Sequence, residues 1–201
     1  TLLEEGADII DIGAESTRPG SLPISSEDEK EKLLPIIKNL IKNNVLISVD
    51  TRNSSTMEAA LNEGVKIIND VSGLNYDINT LNILKNFDCL YVLMHSQGVP
   101  TNMQVNPKYE NAPCEIYQFF KKKLLSIKDE GINLQRIIVD PGIGFGKDDN
   151  HNFSILKFLS IFLDLGAPIL IGLSRKAFIG RFLGNEKADR LSCSLILGLD
   201  S

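Results

Sequence analysis

Six short apolar runs in this chain, rich in β-branched residues, each lead into residues that hydrogen-bond or carry charge. Residues 7–12 lead to Glu15-Ser16-Thr17-Arg18-Pro19-Gly20, residues 45–49 to Asp50-Thr51-Arg52, and residues 66–68 to Asn69-Asp70. Residues 90–94 lead to His95-Ser96-Gln97-Gly98 and residues 137–139 to Asp140-Pro141-Gly142-Ile143-Gly144-Phe145-Gly146-Lys147. Residues 169–173 lead to Ser174-Arg175-Lys176. A carboxylate accepts paired N–H donors, Lys and Arg only donate, and Asn does both, so such a set can grip a flat polar ligand along several edges. Taken singly, an Asp or Ser at such a place is explained well enough as a helix cap. Caps favour small acceptors, however, and Arg18, Arg175 and Lys176 are large donors. Several known motifs are absent. The glycines at 142, 144 and 146 are neither G-x-G-x-x-G nor a P-loop, and Gly172-Leu173-Ser174-Arg175-Lys176 is not a nucleophile elbow. The glycine loop is expected to present Phe145 as an aromatic wall.

The elements that carry these residues follow from periodicity. Continuous apolar runs of this length suit strands buried on both faces. Between them, Ser26-Glu27-Asp28-Glu29 reads as a capping box for a helix burying Leu33, Ile37, Leu40 and Ile41, with Pro35 predicting a kink or late start. Ser55-Thr56-Met57-Glu58 reads as a second box, with Gly64 as its stop. Helical spacing also runs from Ile116 to Ile127 before Gly131, from Phe153 to Phe162 before Gly166, from Phe178 to Leu183 before Gly184, and from Leu191 to Leu199. Strand-helix alternation implies a parallel sheet, open or closed. The runs recur roughly every 32 residues, the interval that about 250 residues in eight βα units would give. The expected fold is therefore α/β, an incomplete (β/α)8 TIM barrel with about six βα units over residues 1–201. One strand is expected before Thr1 and one after Ser201.

Composition excludes other classes. The 201 residues are 43% hydrophobic and 23% charged, with a net charge of −5, so disorder and a phosphate-backbone footprint are both disfavoured. No apolar run approaches the roughly 18–20 residues that cross a bilayer. Cys89, Cys114 and Cys193 are three in number and lack C-x-x-C spacing, which suits a reducing, cytoplasmic setting rather than a disulfide framework or zinc site. His95 is expected to be structural and His151 a group at a helix start.

The six tips, in order and at similar spacing across essentially the whole chain, closely resemble the motif series of the dihydropteroate synthase family. That resemblance implies a (β/α)8 barrel joining 6-hydroxymethyl-7,8-dihydropterin diphosphate to p-aminobenzoate with Mg2+, in folate biosynthesis and as the sulfonamide target. It places the pterin on Asp50, Asn69, Asp140 and Lys176, with Met94 packing nearby, and p-aminobenzoate near Thr17, Arg18, Pro19, Phe145 and Ser174. Asp50 and Lys176 are the expected catalytic groups. The family's magnesium-holding Asn is expected before Thr1 and its diphosphate-binding Arg and His after Ser201. No metal ligand is therefore expected in this chain, and the chain alone is expected to turn over poorly and to be unstable. The implied partners are the small-molecule substrates and a second subunit in a homodimer, with neither nucleic acid nor membrane. A methyltetrahydrofolate-using methyltransferase and a non-catalytic pterin-binding module remain alternatives, as does a Schiff-base role for Lys176.

Overall fold

The structure, a computed structural model, describes residues 1–16, 20–98, 103–184 and 190–199. Five of the apolar runs are parallel strands: β1 (Ile10–Gly13), β2 (Ile47–Asp50), β3 (Ile67–Asp70), β4 (Leu90–Met94) and β5 (Ile137–Asp140). Their order across the sheet is their order along the chain. A doubly wound sheet reverses direction at a switch point, whereas unbroken sequential order is that of a barrel wall, so the sheet is an arc of a (β/α) barrel. Helices α1 (Ser26–Lys42), α2 (Ser54–Asn62), α3 (Thr80–Asn86) and α4 (Ala112–Asp129) lie between successive strands. After β5 come α5 (Asp149–Lys157), α6 (Ala177–Phe182) and α7 (Leu191–Leu199). Among the described residues no helix is long and apolar enough to cross a membrane.

The pairing register sorts side chains onto two faces. One face carries Ile47, Val49, Ile68, Tyr91, Leu93, Ile137 and Val139, all buried in the main core cluster. The helices cover it with Leu33, Ile37, Met57, Leu84, Ile116 and Phe120. Full burial of each such side chain contributes roughly 1.5–3 kcal/mol, so this layer fixes the register of the strands. The opposite face carries the polar set. Gly13 pairs with Asp50, Asp50 with Asn69, and Met94 with Asp140.

The expected sixth strand over residues 169–173 is corrected to a single bridge, Val139 to Ile169. Val139 N donates to Pro168 O and Leu170 N to Val139 O, both at 2.9 Å. The next rung needs a donor at position 141, and Pro141 has no N–H, so the ladder stops there. Two caps also differ. The cap of α1 is Ser25, whose hydroxyl accepts from Asp28 N at 3.1 Å. At α2 the cap position is Asn53, whose side chain makes no capping bond because it donates to Glu29 instead. Helix α1 runs through Pro35, and the carbonyl that this leaves unpartnered belongs to exposed Glu31, where water reaches it. The expected single helix from Phe153 to Phe162 divides into α5 and a 3-10 stretch over Leu159–Leu165, ended by Gly166 in the left-handed conformation.

Candidate functional site

The C-terminal ends of β1, β2 and β3 bring acidic and amide groups together. Asp50 sits beside Gly13 on one side and Asn69 on the other. A Cβ on Gly13 would lie 3.1 Å from that of Asp50, so glycine there leaves room for the carboxyl. Asn69 Nδ2 donates to Asp11 Oδ2 at 3.3 Å, while Asn69 Oδ1 is buried without a partner. Burial, then repulsion from Asp11, Asp70, Glu29 and Glu15, raises the Asp50 pKa to about 8. The Asp50 carboxyl is thus mostly protonated at neutral pH, in a mouth where added positive charge would restore its ionisation.

The loops around it are held from behind. Thr51 and Asn53 both donate to Glu29 Oε2 on α1, at 2.8 and 2.9 Å, and Glu29 is only 1% exposed. Arg52 pairs with Glu15 at 2.7 Å and lies 4.0 Å over the Tyr76 ring. Asp70 faces away from the polar row, into the helix layer. It accepts from Tyr91 OH at 2.5 Å, Ser72 N at 2.8 Å and Leu74 N at 3.1 Å, which shapes the loop after β3.

The ends of β4 and β5 supply the other half. Asp140 Oδ1 accepts from Gly142 N at 2.7 Å. Burial raises its pKa to about 6 against the opposing pull of the Gly142 bond, Lys176 and Lys147, leaving it ionised at neutral pH. Lys176 occupies the cap position of α6, half-buried, and its Nζ lies 4.7 Å over the Phe145 ring. Burial lowers its pKa while Asp140 holds it up. Phe145, Ser174, Arg175, Lys176 and Arg181 line an open groove of about 1010 Å³. Behind the groove Lys147, 2% exposed, contacts His95 Nδ1 at 3.0 Å, His95 O at 3.2 Å and Phe145 O at 2.9 Å. Burial takes the Lys147 pKa down to about 7, and burial, then Lys147, takes that of His95 down to about 3.

The structure thus sets Asp50, Asn69, Met94 and Asp140 along one face of adjoining strands. Neighbouring strands lie about 4.8 Å apart and a strand rises about 3.3 Å per residue, so Asn69 and Asp140, two strands and two register positions apart, have backbones roughly 12 Å apart, room for a substituted bicyclic ring between their side chains. Met94 lies between their strands, and Lys176 stands near Asp140. Phe145 and Ser174 line the adjoining groove, whereas Thr17, Arg18 and Pro19 lie outside the described residues. Asp11, the Glu15–Arg52 pair and the burial of Lys147 join the site without having been expected from sequence. A charged Asp11 inside an apolar run was the available signal for the first. His95 is buried and neutral, as a structural histidine would be, and His151 is the third residue of the α5 capping box with Asp148. Among the described residues no group of three or more His, Cys, Asp or Glu side chains could hold a metal ion.

The fold has counterparts among known proteins. Over 189 residues the chain is 42% identical to the dihydropteroate synthase of Neisseria meningitidis serogroup C, covering 93% of this chain and 67% of that protein. A crystal structure of Yersinia pestis dihydropteroate synthase with a sulfonamide drug complex matches with a TM-score of 0.92 at 33% identity, over 99% of this chain and 72% of that one. The Xanthomonas albilineans dihydropteroate synthase in complex with 7,8-dihydropteroate matches with a TM-score of 0.86 at 32% identity, over 99% of this chain and 71% of that one. The five strands accordingly form part of a TIM-barrel wall. Residues 1–199 match the family described as pterin binding enzyme, and with the polar row and groove in place the conclusion is direct: the chain belongs to the pterin binding enzyme family.

Proposed function

We propose that this chain carries the substrate site of a dihydropteroate synthase, a transferase of folate biosynthesis. It joins 6-hydroxymethyl-7,8-dihydropterin diphosphate to p-aminobenzoate and releases diphosphate. The observation that carries the reading is the row Asp50, Asn69, Met94 and Asp140, closed at one end by Lys176 over Phe145, in a chain that is similar throughout to dihydropteroate synthases.

The proposed pterin contacts follow from the groups present. Asp140 gives one lone pair to Gly142 N and keeps the others for the paired N–H donors of the ring's amide-and-amine edge. Lys176 donates to ring acceptors. Asn69, with Nδ2 committed to Asp11, offers Oδ1 to a ring N–H. Met94 packs against the ring's flat face. As diphosphate leaves the exocyclic CH2, positive charge develops on the ring; Asp50 gives its proton to the departing diphosphate, and the resulting carboxylate stabilises the cation in a water-poor site. The arylamine nitrogen then forms the C–N bond and loses a proton, which restores the protonated Asp50. It is neutral at pH 7, so no strong base is needed. Phe145 and Ser174, with Thr17, Arg18 and Pro19, are the proposed p-aminobenzoate contacts.

Magnesium is implied by the resemblance, but the described residues do not offer it a ligand set, and no step here runs through it. A homodimer and a cytoplasmic location belong to the same proposal. The test is product formation by the protein that carries this chain. Dihydropteroate should appear only when both substrates are present and should vanish in Asp50→Ala and Lys176→Ala. Binding of the pterin diphosphate with no product under any condition would favour a non-catalytic module instead.

A further inference from the structure

Lys147 is the most deeply buried Lys or Arg side chain among the described residues, and no part of the proposed reaction uses it. Lysine is almost never fully buried unless its donors are met. Here they are met by main-chain oxygens and an imidazole rather than by a carboxylate in contact: His95 O, Phe145 O and His95 Nδ1. The amine therefore joins the loop after β4 to the loop after β5. As an ammonium it donates to all three partners; as a neutral amine it accepts from Nδ1–H and still donates to both carbonyls. The tie survives either protonation state.

What it holds is a segment with little stiffness of its own. Gly142, Gly144 and Gly146 all have positive φ, at 68°, 84° and 62°. Phe145 between them carries the ring on which Lys176 stands. Other ties secure the neighbours: Gly144 N donates to Asn152 Oδ1 at 2.8 Å and Tyr109 OH to Gly146 O at 3.0 Å. The carbonyl of Phe145 itself is held by Lys147.

We propose that Lys147 is a positioning residue for the arylamine half of the site: its amine, bonded to Phe145 O and His95 O, sets the Phe145 ring that walls the groove. This rests on the functional reading above, with Phe145 as an arylamine contact. The tests are steady-state kinetics of the protein that carries this chain and amide hydrogen exchange of the same variants. Lys147→Met should raise the KM for p-aminobenzoate about tenfold, the scale expected when a contact group is misplaced, and leave the KM for the pterin diphosphate within about twofold. In a Phe145→Ala background the same substitution should add less than about twofold, because residues acting as one unit are not additive. Lys147→Arg, which keeps the donors, should recover part of the loss.

An unchanged p-aminobenzoate KM in Lys147→Met overturns the inference. So does an equal effect with and without the Phe145 ring, since that is a general loss of structure. Should Lys147→Met fail to melt cooperatively, Lys147→Gln, which retains an N–H for one carbonyl, is put through the same cycle with the same criteria. Exchange of the Phe145 amide, faster in the variant than in the parent, reads the tie without any turnover. A parent protein that makes no product sinks the functional reading, while unchanged exchange at Phe145 sinks this one.

Discussion

The acid cluster around Asp50 makes a quantitative prediction for Asp50→Asn. Between pH 4 and 8 the unfolded chain has released the Asp50 proton while the folded chain keeps it, because the pKa rises from 3.8 to about 8. The folded state then binds more protons than the unfolded one, so stability falls as pH rises, by at most about 1.4 kcal/mol per pH unit for one proton. From pH 5 to pH 7 this one carboxyl removes up to about 3 kcal/mol, a large share of the roughly 5–15 kcal/mol that a domain has. Asn keeps the size and cannot ionise, so its stability should lose that slope. Asp140, raised to about 6, adds a slope of the same sign below pH 6, but it is present in both proteins and cancels in the difference. Lys147 has the opposite sign: with its pKa lowered from 10.5 to about 7, stability rises with pH above 7, which sets the upper end of the useful window. The assay is urea unfolding of parent and variant at pH 5, 6 and 7, followed by circular dichroism. Asp50→Asn should gain on the parent steadily across the series. Parallel curves would mean that Asp50 is already ionised in the fold, and the electrostatic account of the mouth would be wrong.

Three further outcomes are expected. Tyr91→Phe removes the 2.5 Å donor to buried Asp70 and should destabilise by about 1–3 kcal/mol in urea melts; a loss under about 0.5 kcal/mol would deny Asp70 its role in the loop after β3. Gly142→Ala should destabilise by about 1–3 kcal/mol and impair pterin binding in calorimetry, because its Cβ would run into the His95 carbonyl and its φ of 68° disfavours any side chain; wild-type values in both assays would count against the close packing of the two loops. Lys176→Met keeps the stem but not the donor and should weaken pterin diphosphate binding by about tenfold or more, while a dissociation constant within twofold would remove Lys176 from the pterin site.

How far this arrangement could be read in advance depends on what each residue reports locally. Buried strands write themselves as apolar runs, so β1 to β5 were legible to within a few residues, as were Asp50, Asn69, Asp140 and Lys176 at or beyond the run ends. The failures were non-local. Residues 169–173 look like a strand, yet the missing N–H of Pro141, on the neighbouring strand's exit, ends their pairing after one bridge. Asn53 looks like nothing in particular, yet Glu29, 24 positions earlier, claims its side chain, and the first N–H of α2, that of Ser54, is met by Asp77 instead. Lys147 was visible as the end of a motif, but sequence reports its charge and not its burial. Its partners lie at His95, 52 positions away, and at Phe145, where it bonds main chain that carries no residue signal.

The central claim is that Asp50, Asn69, Met94, Asp140 and Lys176 enclose one flat bicyclic ring. A crystal structure of the protein that carries this chain, with the pterin diphosphate bound, tests it most directly. The account predicts the ring's amine-and-amide edge within hydrogen-bond distance of Asp140 and Asn69, Lys176 Nζ on a ring acceptor, and Met94 against the ring face. A ring seated elsewhere, with Asp140 and Asn69 facing only water, would contradict it.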